Sequence, residues 1–174
     1  MPDPRIEYLR GQTNEIYVRV HGKTVIKKGE LVFLAQDSSV IVGATADGYG
    51  YPAAQLADVT PTYFSNNLAG VAMKGSVSGT TEDIPVATKG IFRGQIKLGT
   101  SATSMSVYPG ALVSTCTLGA SGVTPSGTTF RVSVLAASET TRGMVGRAVH
   151  RKAASTYVDF MLMTKLSGAS ITTR

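Results

Sequence analysis

Ile16-Tyr17-Val18-Arg19-Val20 is the stretch that decides the fold class. Its even positions are all apolar, which is the period of two expected of a half-buried β-strand. On its C-terminal side, His21-Gly22-Lys23 predicts a tight turn. A strand is then expected at residues 24–26, and the turn Lys27-Lys28-Gly29-Glu30 leads into another strand at residues 31–34.

Outward from this stretch, short apolar runs divided by turns rich in Gly, Ser and Thr continue along the chain. Residues 43–51 contain three glycines and predict a loop, and residues 52–57 are the best helical candidate, although they are only a turn or two long. The content of 19 glycines and 7% aromatic residues suits short strands better than long helices. Many short strands with closely spaced turns predict an all-β fold, either a small β-barrel or a β-tulip. Further strands are expected at residues 39–42, 68–73, 84–92, 104–108, 112–118, 129–135, 144–149 and 157–163.

The two ends of the chain differ from the region between them. Residues 1–15 predict an extended N-terminal arm, because Pro2 and Pro4 disfavour helix at the start. Residues 16–165 are expected to form the β-barrel domain. Residues 166–174 are small and polar and predict a C-terminal tail.

A loose two-fold repeat runs through the barrel region. In the first half, Lys28-Gly29-Glu30-Leu31-Val32 is followed by Leu68-Ala69-Gly70-Val71-Ala72 and Ile84-Pro85-Val86-Ala87. The second half keeps this order with Pro109-Gly110-Ala111-Leu112-Val113, Met144-Val145-Gly146-Arg147-Ala148 and Tyr157-Val158-Asp159-Phe160. Each Gly-x-Leu-Val unit places a turn glycine before a strand, and each Gly-x-Ala unit puts small residues where another backbone approaches closely. We expect the two pseudo-repeated halves to close one small barrel and so remove exposed sheet edges.

Composition and charge disfavour several classes of protein. The single cysteine, Cys116, allows neither an intramolecular disulfide nor a multi-cysteine metal site. No apolar stretch reaches the length of a membrane span, and the polar residues 1–5 lack the apolar segment of a signal peptide, so we expect an intracellular, reducing setting. The formal net charge is +6, and from Arg131 onward seven basic residues face two acidic ones. This region predicts either a solvated surface or a cationic face for an acidic protein or a nucleic acid.

The residues that most often carry catalysis lack the required context. His21 and His150 are the two histidines, and neither has the partner spacing of a zinc site. Gly75-Ser76-Val77-Ser78-Gly79 has valine where a nucleophile elbow requires serine, so it predicts a polar turn. Glu82 and Asp83 are adjacent and would point to opposite faces of a strand, where they form no acid/base pair.

The glycine-rich segments also lack the surroundings of a phosphate site. The run Gly48-Tyr49-Gly50-Tyr51-Pro52-Ala53 matches the loose dinucleotide pattern, but no alternation of strands and long helices follows it. Gly22-Lys23-Thr24 matches only the end of a P-loop, and a strand is expected where a helix is required. We therefore expect no enzyme, no catalytic residue, no metal site and no cofactor.

Three runs together resemble the small capsid decoration (cement) proteins of tailed phages. They are Lys28-Gly29-Glu30-Leu31-Val32-Phe33-Leu34, then Leu68-Ala69-Gly70-Val71-Ala72, then Asp83-Ile84-Pro85-Val86-Ala87-Thr88-Lys89-Gly90-Ile91-Phe92. Residues 109–163 resemble the closing part of the same barrel, except that Ala111 stands where the pattern has an acidic residue. The resemblance extends over residues 15–165 and rests on short motifs.

The resemblance implies a structural protein on the capsid exterior, made in the host cytoplasm. Such a protein forms a homo-oligomer, often a trimer, and binds neighbouring subunits of the major capsid protein without a cofactor, a small-molecule substrate or a membrane. The arm would be the segment ordered on the capsid, by strand addition to a sheet edge. The candidate capsid-contact residues in the arm are Arg5, Ile6, Tyr8, Leu9 and Arg10.

Three alternatives stay open at the level of sequence. The first alternative is another virion component, such as a tail-tube or fibre-associated β-domain. The second is a basic β-barrel that binds nucleic acid through residues 142–152. The third alternative is an enzyme with a dispersed site that uses His21 or His150.

Overall fold

The computed structural model describes residues 6–34, 50–52, 67–96, 103–114, 131–135 and 144–164. The elements in these ranges are thirteen β-strands, so the all-β prediction is confirmed. The strands are β1 (Glu7–Arg10), β2 (Glu15–Val20), β3 (Leu31–Leu34), β4 (Gly50–Pro52), β5 (Leu68–Ala72), β6 (Glu82–Ala87), β7 (Ile91–Ile96), β8 (Met105–Val107), β9 (Leu112–Ser114), β10 (Arg131–Leu135), β11 (Met144–Ala148), β12 (Lys152–Ser155) and β13 (Tyr157–Leu162).

Ten of these strands form two closed rings of five. The first ring has the order β2-β4-β3-β5-β6 and closes where β6 pairs with β2. The second ring has the order β7-β10-β9-β11-β13 and closes where β13 pairs with β7. Strand β1 adds to β7 beside the second ring, and β8 and β12 form a separate two-stranded sheet.

The two rings are built from the two repeated halves of the sequence. Each ring has one parallel pair, β2 with β4 in the first and β7 with β10 in the second, and its other pairs are antiparallel. The register also corresponds, since Val32 lies opposite Gly70 in the first ring and Val113 lies opposite Gly146 in the second. The repeat is therefore a structural one. We expected the two halves to close one small barrel. The small-barrel architecture is confirmed, and each half supplies five strands that close a ring of their own.

The fifth strand of the first ring was not predicted. It overlaps the end of the loop expected at residues 43–51 and the start of the helix expected at residues 52–57. Strand β4 begins at Gly50 and ends at Pro52, between β2 and β3. A side chain at Gly50 would collide with Val18 on the neighbouring strand β2, which favours glycine at this position. The rest of both segments lies outside the described residues.

Two other strand predictions differ from the structure. Residues 84–92 were expected to form one strand, but the bends at Thr88, Lys89 and Gly90 divide this run into β6 and β7. Gly90 has a φ of 131°, which few residues other than glycine adopt, and this conformation ends the first ring before the second begins. Residues 24–26 form no strand, although Ile26 is fully buried.

Corresponding hydrogen bonds hold the two turn glycines. Gly29 has a φ of 84°, its N–H donates to the carbonyl of Ala72 at 2.8 Å, and the N–H of Ala72 donates to the carbonyl of Glu30 at 2.8 Å. The same two bonds, both also 2.8 Å, join the corresponding residues of the second ring, Gly110, Ala148 and Ala111. The departure from the sequence pattern at Ala111 leaves this turn intact because its backbone makes the bond.

Two hydrophobic clusters fill the molecule. One lies inside the first ring and includes Val18, Val20, Val32, Ile84 and Val86. The other joins the interior of the second ring with side chains that point outward from the first. Those outward side chains are Leu31, Phe33, Leu68, Val71 and Ala87. The part of the outer face of the first ring formed by β3, β5 and the end of β6 is thus buried, and there the two rings share one continuous core.

Candidate interaction surfaces

The predicted capsid-contact arm is tied to its own chain over the residues that the structure describes. Strand β1 pairs antiparallel with β7, with Glu7 opposite Arg93 and Tyr8 opposite Phe92. Ile6 is only 3% exposed and belongs to the shared core, and its N–H donates to the carbonyl of Gly29 at 3.2 Å. Arg5 lies outside the described residues. The arm therefore reaches the second ring through β1 and the first ring through Ile6.

The other three candidate contact residues are on the surface. Tyr8 is 41% exposed, its ring packs edge-on against Phe92 at 5.6 Å between centroids, and its hydroxyl donates to the carbonyl of Gly11. Leu9 is 37% exposed. A guanidinium N–H of Arg10 donates to Nε2 of His150 at 3.0 Å. The structure brings these three side chains together on one strand, and contact with a capsid stays a prediction for each of them.

A groove of about 670 Å³ runs between the arm and the first ring. Its apolar floor is formed by buried side chains, and charged groups of opposite sign, Glu7 and Lys28, stand at its walls. The other lining residues are Ile6, Tyr8, Gly29, Val71, Ala72, Met73 and Phe92. Because both the arm and the first ring line this groove, its shape depends on the arm being docked.

A buried carboxylate and two cations join three strands on the outer face of the second ring. Asp159 on β13 accepts hydrogen bonds from Arg93 on β7, from Nε to Oδ1 at 2.7 Å and from a terminal nitrogen to Oδ2 at 3.2 Å. Nζ of Lys152 on β12 lies 2.8 Å from Oδ2. The side chain of Asp159 is 6% exposed, whereas that of Arg93 is 41% exposed. This cluster was not predicted, since the sequence gives no sign that these three residues meet.

The two cations determine the protonation state of Asp159. Burial is the largest single influence on its pKa and raises it, but the hydrogen bonds and positive charges of Arg93 and Lys152 together outweigh burial and hold the pKa below the ordinary value of 3.8. The hydrogen bond to Asp159 correspondingly raises the pKa of Arg93. The group thus forms a clamp across β7, β12 and β13, in which both oxygens of the Asp159 carboxylate are already occupied.

Neither histidine is placed with metal ligands. His21 accepts a hydrogen bond at Nδ1 from the N–H of Lys23, and His150 contacts Arg10. In the ranges that the structure describes, no three His, Cys, Asp or Glu side chains are grouped closely enough to hold a metal ion. Cys116 lies outside those ranges. Across the same part of the chain, no helix has the length and apolar character needed to cross a bilayer.

Comparisons with known proteins give one structural similarity. The sequence matches no protein-family model and no curated protein. The fold is similar to that of the N base of the head fiber protein gp8.5 of bacteriophage phi29, with a TM-score of 0.43 and 10% sequence identity. The match covers 85% of this chain and 93% of that one.

Proposed function

We propose that this chain is a structural protein of a tailed-phage virion that binds the outer surface of the capsid and stabilises contacts between major capsid subunits. It acts without catalysis or a cofactor and works as a homo-oligomer, with a trimer as the expected state. Modest contacts from each protomer then add together through multivalency.

The observation that carries the proposal is the position in the fold of the three runs that resemble capsid decoration proteins, residues 28–34, 68–72 and 83–92. They occupy consecutive strands of the first ring and its exit, namely β3, β5 and β6 continuing into β7. Two glycines of these runs occupy positions where the backbone favours glycine. Gly29 adopts a φ of 84°, and a side chain at Gly70 would collide with the carbonyl of Ala87. The short motifs of the resemblance are therefore residues that this architecture needs, which supports carrying over the role of the family.

The surface of β1 supports the arm as the contact element. Glu7–Arg10 is exposed along its whole length, although Ile6 anchors it in the core. An anchored strand that presents Tyr8 and Leu9 to solvent loses little conformational entropy when a partner covers it. This arrangement differs from an arm that orders only on the capsid, because the contact surface is already formed.

The test is co-sedimentation of the purified protein with undecorated capsids, with the mass in solution measured alongside. Saturable binding at a fixed ratio to capsid subunits is expected. Leu9→Asp is expected to weaken binding strongly, whereas the matched control Val77→Asp, at another exposed apolar position in the first half, leaves it unchanged. Failure to bind, together with assembly of the protein alone into rings or tubes, would assign it to the tail instead.

A further inference from the structure

Three arginines, one from the arm and two from the second half, contact groups other than carboxylates. Arg10 donates to His150. Arg147 donates from Nη1 to the carbonyl of Gly110 at 3.1 Å. Arg151 lies over the ring of Tyr108, with Cζ 5.8 Å from the centroid, which is a cation–π contact. We refer to Arg10, Arg147, Arg151 and Tyr108 as the arginine patch.

These contacts connect residues from distant parts of the chain into one surface. Arg10 touches His150, which precedes Arg151 in the chain, and Arg151 contacts Tyr108 two residues before Gly110. All four residues of the arginine patch are exposed, and Tyr108 is 58% exposed. The fold thus brings the arm beside the basic run at residues 147–152.

In the ranges that the structure describes, no carboxylate forms an ion pair with Arg10, Arg147 or Arg151. A neutral imidazole, a carbonyl oxygen and an aromatic ring orient a guanidinium but leave its full positive charge in place. Lys152 lies next to Arg151 in the chain, but its ammonium is engaged by Asp159, whereas the three arginines contact no carboxylate in the described ranges.

We infer that the arginine patch is a docking site for an acidic protein segment. Arginine and tyrosine are the residue types that contribute most to protein interfaces, and a guanidinium binds a carboxylate through two parallel hydrogen bonds. A nucleic acid is disfavoured because the patch has a single aromatic ring and Arg151 covers one face of it, so the patch lacks the series of aromatic rings on which successive bases stack. This inference deepens the proposed function and rests on it only for the identity of the partner, which is then an acidic surface of the capsid.

The test measures binding of a short fluorescein-labelled oligoglutamate peptide by fluorescence anisotropy, with a short labelled DNA duplex as the competing probe. We expect the full chain to bind the peptide, to bind it more weakly as salt is added, and to bind the duplex less tightly. The double variant Arg10→Gln/Arg151→Gln is expected to weaken peptide binding about tenfold, which corresponds to two exposed ion pairs at the upper end of their range. The matched control Arg19→Gln/Lys23→Gln removes the same charge from exposed positions in the first ring and is expected to change binding less than about twofold.

Each outcome decides the inference. Equal weakening in both double variants would reduce the effect to net charge and overturn it, as would tighter binding of the duplex or no binding of the peptide. If the double variant unfolds, the single variant Arg151→Gln replaces it in the assay, because Arg151 lies outside the arm. Tyr108→Ala is expected to weaken peptide binding, because it removes the ring that orients Arg151. Peptide binding by the arginine patch without any capsid binding would support the docking site and count against the proposed function.

Discussion

Replacing Asp159 with asparagine removes the one carboxylate that holds Arg93 and Lys152 together. Removing one partner of a buried ion pair costs about 3–5 kcal/mol. Here the cost is lower, because Arg93 and Lys152 are partly exposed and water can solvate them once the carboxylate is gone. We expect Asp159→Asn to lower the free energy of unfolding by about 2 kcal/mol, roughly half of the fully buried value.

Urea unfolding followed by circular dichroism measures this loss, since the chain has no tryptophan for fluorescence. With a slope of about 2 kcal/mol per molar urea, the midpoint moves down by about 1 M. Asp83→Asn is the matched control, since Asp83 is an exposed aspartate on β6, and it is expected to cost about 0.5 kcal/mol or less. If Asp159→Asn costs no more than this control, the clamp contributes nothing to stability.

The same clamp makes stability depend on pH in a defined direction. Because the pKa of Asp159 is lower in the folded protein than its ordinary value of 3.8, the unfolded chain binds this proton more readily. The contribution of Asp159 is complete above that ordinary value and is lost as the pH falls through the folded pKa. Wild type and Asp159→Asn should therefore converge in stability as the pH falls below about 4, and a constant difference between them across that range would contradict the assignment.

Three further substitutions, two of them with a matched control, test the packing. Gly146→Ala places a methyl group against the carbonyl of Met161 and is expected to cost more than 3 kcal/mol or to prevent folding, whereas Gly79→Ala, at a glycine with open space around it, is expected to cost about 1 kcal/mol; equal losses in thermal unfolding would refute the close approach. Ile6→Ala is expected to cost about 2–4 kcal/mol in urea unfolding and Leu9→Ala less than 1 kcal/mol, and a small loss at Ile6 would show that the arm is not anchored. Ser76→Ala removes the hydroxyl that accepts from the N–H of Ile26 at 2.8 Å, and a loss of about 1 kcal/mol is expected by the same assay.

Much of the fold follows from patterns within single strands. The alternation in residues 16–20 identified β2, and the turn glycines Gly29 and Gly110 located the starts of β3 and β9. The repeat could be found because each half needs a glycine at two fixed places, one where the turn requires positive φ and one where another backbone comes close. These are local requirements, so the sequence displays them directly.

The number of rings depends on interactions that no single strand displays. Strand β4 has three residues and contains a proline, so nothing in its composition indicates that it closes a ring. The clamp of Arg93, Lys152 and Asp159 and the contact of Arg10 with His150 each join residues far apart in the chain. The site residues in the arm were chosen from composition, and the exposure of Tyr8 and Leu9 and the burial of Ile6 follow from how β1 docks on β7.

The two halves differ at one pair of corresponding strand positions. Val71 on β5 and Arg147 on β11 occupy corresponding positions, opposite Leu31 and Leu112. Val71 is buried in the core that the rings share, whereas Arg147 is exposed.

The carbonyl groups of the two turn glycines also accept hydrogen bonds from different donors. The carbonyl of Gly29 accepts from Ile6 of the arm, and the carbonyl of Gly110 accepts from Arg147. In the first ring the arm thus completes the turn from outside, while in the second ring the side chain of Arg147 satisfies the turn carbonyl. A second valine at this position would extend the apolar surface and favour stacking of further rings or copies. Arg147 therefore has two roles: it satisfies the turn of its own ring, and it supplies one of the cations of the arginine patch.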